Sequence, residues 1–175
     1  MVSSRARARL ALSFLLAAVV THPLAAQGPG ASAGLGVYRS NSTASYYADP
    51  GIGAEFRGHW SFPSGFVLGL GARGIRFQNG DRATVFLDGR YAPVPTVAQR
   101  IRPIFGVRGG PFLDGTVGDL FTGLDVGAVA GLSLRAGNGV SLTLVGDLGF
   151  SLASGDYSHS SRRFLPGLML GLTFH

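Results

Sequence analysis

The stretch FVLGLGARGIRF (residues 66–77) holds Gly69, Gly71 and Gly74 in the spacing G-x-G-x-x-G. That spacing is the fingerprint of a dinucleotide-binding turn. It works only when a strand leads in and a helix follows, so that the pyrophosphate rests at the helix N-terminus. Here Gly69 and Gly71 share a strand face with Arg73, and beyond Gly74 comes IRFQNGDR, a strand residue or two and then a turn. No helix follows to hold a phosphate, so the dinucleotide reading fails. The glycines read instead as places where a tightly curved sheet closes, or where larger neighbours inside it need room.

Composition points the same way. Of 175 residues, 14% are charged and 28 are glycine, and the mean hydropathy is positive. Soluble domains are about one quarter charged, with about 7% glycine. The length suits a single domain. Lysine is absent, so every basic side chain is arginine. Cysteine is absent too, which removes disulfides, thiol catalysis and cysteine metal sites together.

The N-terminus reads as an export signal. MVSSRARAR is a basic leader, LALSFLLAAVV an apolar run of signal-peptide length, and THPLAAQ offers small residues for cleavage after Ala26. Leu24 departs from the small-x-small ideal of such sites. The apolar run from Leu10 to Val20 is too short to span a bilayer as a helix. The expected organisation is therefore a signal peptide over 1–26 and one domain over 27–175. Cleavage takes away Arg5, Arg7 and Arg9 and leaves a weakly basic mature chain. With no arginine–aromatic cluster either, nucleic acid is not an expected partner.

After Gln27 nothing sustains a helical period; strict alternation recurs instead. In GIGAEFRGHWSF (51–62), Ile52, Ala54, Phe56, Trp60 and Phe62 share one face, and Gly53, Glu55, Arg57, His59 and Ser61 the other. In VSLTLVGDLGFSL (140–152), Val140, Leu142, Leu144, Leu148, Phe150 and Leu152 lie opposite Ser141, Thr143, Asp147 and Gly149. The same rule predicts further strands near 33–40, 66–77, 83–92, 102–110, 120–134 and 165–174. That makes about eight, each near the length a tilted strand needs to cross a bilayer. PSG (63–65) and RAGNG (135–139) are tight turns, whereas 41–50, 111–119 and 153–163 are longer and polar. QNGD (78–81) is shorter, and PVPTVAQR (93–100) longer, than that alternation of connections asks for.

Eight alternating strands suit either a soluble lipocalin-like carrier, apolar inside, or a membrane barrel, apolar outside. Three features favour the membrane barrel over a secreted lipocalin-like carrier of an apolar ligand. The polar face is mostly glycine, serine and threonine, whereas a soluble surface is roughly 25–35% charged. Trp60, Phe62, Phe66, Tyr91 and Phe174 gather at the short-turn rim, as an interfacial girdle does. Finally, Arg57, Arg73, Arg90 and Arg108 on the polar face are matched by Glu55, Asp88, Asp125 and Asp147. A narrow lumen holds such charges only when they pair, because an unpaired buried charge is costly.

On these grounds the chain resembles the small outer-membrane β-barrel proteins of Gram-negative bacteria, the OmpA- and OmpX-type eight-stranded family. The last strand, GLMLGLTFH, carries Leu168, Leu170, Leu172 and Phe174 on one face and ends in an aromatic residue followed by His175. The resemblance implies an all-β, up-and-down transmembrane barrel in the bacterial outer membrane, recognised at that strand by the insertion machinery. It further implies periplasmic termini, extracellular long loops and a lipid surrounding that includes lipopolysaccharide. A monomer without cofactor or metal is expected.

Eight strands enclose an interior that side chains fill, so the eight lumenal charges are expected to pack rather than to select solutes. Arg39 and Arg76 fall on the lipid side near the outer strand ends, with Arg162 and Arg163 in the last loop. These four are candidates for lipopolysaccharide phosphates, which guanidinium groups pair bidentately. One enzymatic alternative arises in DYSHSSRR, where His159 and Ser161 resemble the H-x-S of lipid A deacylases. In that family asparagine follows the serine, where this chain has Arg162, and no acid occurs after Asp156 to orient a base. A non-enzymatic role in envelope integrity or surface interaction is the expectation.

Overall fold

The computed structural model describes residues 28–40, 50–78, 80–93, 100–116, 120–154 and 162–175. The expected signal peptide, most of the stretches 41–50, 93–100 and 153–163, and with them His159 and Ser161, lie outside the described residues.

Eight strands follow one another in chain order: β1 (Gly28–Tyr38), β2 (Gly51–Ser61), β3 (Phe66–Phe77), β4 (Gly80–Tyr91), β5 (Ile101–Thr116), β6 (Leu120–Gly137), β7 (Val140–Ser154) and β8 (Arg162–Phe174). Each pairs antiparallel with its sequence neighbours, and β8 closes on β1, so the barrel has no open edge. An even strand number returns the chain to the end where it started. Gly28, Phe174 and the tight turns at 62–65 and 138–139 therefore share one rim. Gly65 (φ +84°) and Gly139 (φ +80°) supply the left-handed backbone that these turns need.

The alternation read from the sequence is the alternation of burial. Ile52 is 70% exposed, whereas Asp125 is wholly buried and Arg73 is 2% exposed. Leu68, Leu70, Leu87, Val107, Leu144, Leu148 and Leu170 are exposed on the outside. An apolar surface of that extent is stable against lipid and not against water. A lipocalin-like carrier needs the inverse arrangement and is excluded. The aromatic girdle lies where the register puts it. Phe66 pairs with Tyr91 and Tyr91 with Phe105, all exposed, with Trp60 on β2 beside them.

Several boundaries differ from expectation. β1 begins at Gly28, earlier than its weakly alternating GPGASAG suggests, because the ladder to β2 extends it from Gly28 and the ladder to β8 joins from Ala31. β5 runs to Thr116, through residues read as loop, and β4 begins at Gly80 rather than 83. Strands of 15 to 18 residues in β5–β7 overshoot the span a bilayer needs. Arg162 and Arg163 open β8, paired with Leu152 and Ser151, rather than lying in the last loop.

Candidate functional site: the lumenal charge network

The inward side chains form three tiers of charge. Nearest the rim that carries the termini, Arg57 Nε donates to Asp88 Oδ1 at 2.6 Å. Arg90 bonds the other oxygen of Asp88 and approaches Glu55 Oε1 at 3.5 Å. In the middle, Arg73 bonds both Asp147 and Asp125, the latter at 3.0 Å. Arg108 donates to Asp147 Oδ2 at 2.9 Å and Oδ1 at 3.1 Å, and to Asp125 Oδ2 at 3.0 Å. All eight charged residues singled out in the sequence thus lie inside the barrel, buried and bonded to one another.

The third tier, toward the long-loop end, holds two further residues. Arg82 grips Asp114 with two parallel bonds, Nε to Oδ1 at 2.6 Å and Nη2 to Oδ2 at 2.7 Å. Its Nη1 reaches Ser151 Oγ at 2.7 Å, and that hydroxyl donates to Asp125 Oδ1 at 3.1 Å, linking this tier to the middle one. Sequence reasoning missed the pair because it placed Arg82 in a turn and Asp114 in a loop. The signal was present: Arg82 shares parity with Asp88 and Arg90 on one strand.

The tiers cross the lumen rather than line it. Arg73 on β3 meets Asp147 on β7, half-way round the closed barrel. Arg57 on β2 reaches Asp88 on β4 by passing over β3 at Gly69. A Cβ at Gly69 would collide with both Asp88 Oδ1 and Arg57 Nε, and one at Gly71 with the Phe86 ring. A Cβ at Gly74 would meet nothing within 4 Å. The three glycines of the opening motif therefore do different things. Two make room in the lumen, and the third faces outward.

Aromatic rings complete the filling, which the expectation of a glycine-, serine- and threonine-lined interior did not include. Tyr38, Phe86 and Phe112 are buried inside. The Arg82 guanidinium lies 4.3 Å from the Phe112 ring centroid, and that of Arg73 lies 5.0 Å from Tyr38. Flat rings fill the space beside flat cations at interior density while stabilising the charge. Tyr38, Ile75, Phe77 and Leu165 form one apolar cluster among the tiers, and Val129, Val145 and Met169 another.

Outside, Arg39 and Arg76 are exposed. Arg76 Nε lies 3.9 Å from Asp81 Oδ1, with both side chains largely open to the surroundings, a pair of little energetic weight. Among the described residues no cluster of histidines and carboxylates has the arrangement of a metal site.

The fold is similar to that of the crystal structure of Neisserial surface protein A (NspA), at 12% identity and a TM-score of 0.68, over 84% of this chain and 96% of that one. The crystal structure of Ail, the attachment invasion locus protein of Yersinia pestis, overlaps with a TM-score of 0.44 at 14% identity (85% and 98% covered). The N-terminal β-barrel domain of Pseudomonas aeruginosa OprF gives 0.45 at 16% identity (82% and 97%). No family model matches the sequence, and no curated protein does. The chain is an eight-stranded antiparallel barrel of the outer-membrane type.

Proposed function

We propose that the protein is a non-enzymatic component of the bacterial outer membrane, with a role in envelope integrity or surface interaction. The barrel is the anchor, and the polar connections at the long-loop end are the working surface. The observation that carries this reading is the crossed lumen. Arginine–carboxylate pairs from β2 to β4 and from β3 to β7, with Arg82 on β4 reaching Ser151 on β7, fill the path a solute would take. With the interior occupied, specificity resides in the loops, and the architecture alone does not name a partner. Arg39, Arg76, Arg162 and Arg163 are proposed lipopolysaccharide contacts at that same end, Arg76 the weaker for its neighbour Asp81.

The test combines three readouts on the full chain. Membrane fractionation should place it in the outer membrane, with protease added to intact cells cutting within 153–163. Reconstituted in a planar bilayer, it should show no stable conductance; a steady ohmic channel would refute the closed lumen. Incubated with lipid A in detergent, it should release no fatty acid beyond a boiled control. Release abolished by His159→Ala or Ser161→Ala would replace this reading with a deacylase.

A further inference from the structure

Buried charge inside the barrel is balanced, five arginines (Arg57, Arg73, Arg82, Arg90, Arg108) against five carboxylates (Glu55, Asp88, Asp114, Asp125, Asp147). The balance breaks at one place. At the rim that carries the termini, a cavity of about 580 Å³ is bordered by Arg57, His59, Arg90, Arg102, Arg135 and His175, and by no side-chain carboxylate. Arg57 and Arg90 share Asp88 on its far side. Arg102 and Arg135 have no carboxylate partner among the described residues. The cavity is blind, because the Arg57–Asp88–Arg90 tier closes its inner end.

Two of its bordering side chains each hold a buried polar atom without a partner, Arg57 Nη2 and His59 Nδ1. Arg57 is 6% exposed and His59 7%. A buried N–H left unbonded costs its full desolvation, and more when the group is charged. His175 reports the same field. Burial, and then Arg102, Arg135 and Arg57, hold its imidazole pKa below the usual histidine value. Its Nε2 lies 3.3 Å from Ser141 Oγ, and its backbone N–H bonds Gly139 O, so the ring is held at the mouth.

We propose that this cavity is a binding site for a small multivalent oxyanion of the phosphate class. Four guanidinium groups around a closed cup supply forked, charge-assisted donors that match tetrahedral oxyanions. The volume admits a phosphate with its attendant water, or a small phosphorylated solute, and the closed inner end makes it a receptor rather than a conduit. The same chemistry is offered by a free phosphate and by a lipid headgroup reaching over the rim.

The experiment is calorimetric titration of the refolded full barrel, in an uncharged detergent, with inorganic phosphate and separately with sulfate at low chloride. Saturable one-site binding is expected. The Arg102→Ala/Arg135→Ala double variant should weaken it at least tenfold, while Arg102→Lys/Arg135→Lys retains it within a few-fold. Both arginines lie outside the buried ion pairs, and an unchanged heat-induced gel shift confirms that each variant is folded. No saturable binding by the native protein, or equal affinity in the alanine double variant, would overturn the proposal. Repeating the titration in nanodiscs with and without phosphatidylglycerol identifies the source. Competition by the anionic lipid assigns the site to headgroup phosphate, and its absence to a soluble anion.

Discussion

The inner and outer walls of this barrel are made by the same strands, one residue apart, and obey opposite rules. Outside, Leu70 and Leu87 stand side by side on β3 and β4, need no specific partner, and would tolerate any apolar shape. Inside, on those two strands, Gly69 and Asp88 face each other, and the site tolerates neither a methyl group nor a lost charge. The difference is one of solvent. Lipid is a fluid that conforms to the wall, whereas the lumen is a fixed volume in which a polar atom left without a partner is costly. Stability outside is set by composition and depth, and inside by geometry.

The sharpest way to break that comparison is to remove one partner of an inner pair. Arg82 and Asp114 are the cleanest choice, being bidentate and joined to the middle tier only through the Ser151 hydroxyl. Arg82→Met alone should cost about 3–5 kcal/mol, the range for breaking a buried pair. Arg82→Met with Asp114→Leu should cost less than the sum of the two single changes. Urea unfolding in lipid vesicles measures both, and strict additivity would mean that the charges do not act as pairs. Arg73 and Asp147 should each destabilise too, but less decisively, because Asp125 and Arg108 remain to share the loss.

On the outer wall the expected variable is depth rather than partnership. Leu144→Arg, near mid-strand, should cost about 2–4 kcal/mol, and Phe150→Arg, nearer the loop end, about 0–1 kcal/mol beyond its lost packing. Equal costs at the two positions, by the same unfolding assay, would mean that the apolar face does not meet a bilayer.

How far the sequence carried this structure divides along the same walls. The outer wall was legible nearly in full, because a period of two with leucine at every second position leaves little choice of face. The girdle at Trp60, Phe66 and Tyr91 was legible for the same reason. The inner wall was legible only where charge marked it. Arg57, Asp88 and Asp147 stand out as charges on a polar face. Tyr38, Phe86 and Phe112 do not, because an aromatic residue on the lumenal parity looks like a break in the pattern. Arg82 and Asp114 were lost to strand ends, since β4 begins and β5 ends in segments of loop-like composition. The surplus of cations at the mouth was hidden differently. Arg102, Arg135 and His175 belong to three separate strand ends, and only the pairing of β5 through β8 brings them together.

A milder contrast uses the opening motif itself. Gly69→Ala places a methyl group between Arg57 and Asp88 and should cost about 1–3 kcal/mol, as overpacking does. Gly74→Ala puts the same methyl group into open space on the outer face. It should be neutral or stabilising by up to about 1 kcal/mol, because glycine in a strand carries an entropic cost. Equal effects at the two glycines would contradict the division of the motif between the walls.

The smallest expected effect comes where the inner wall stops following its own rule. Arg102→Ala and Arg135→Ala remove cations with no carboxylate partner among the described residues, and their cationic neighbours repel them. Loss of such a group should change stability by no more than about 0.5 kcal/mol, as for ordinary surface positions. At low ionic strength the sign should favour the variant, and added salt should erase the difference because exposed like charges are screened. Phosphate reverses the order. If the mouth holds an oxyanion, phosphate stabilises the native barrel by mass action and leaves the double variant unchanged. Thermal unfolding with phosphate, against the same ionic strength of sodium chloride, separates the two terms. A double variant that loses several kcal/mol without phosphate would show that these arginines belong to the paired interior after all.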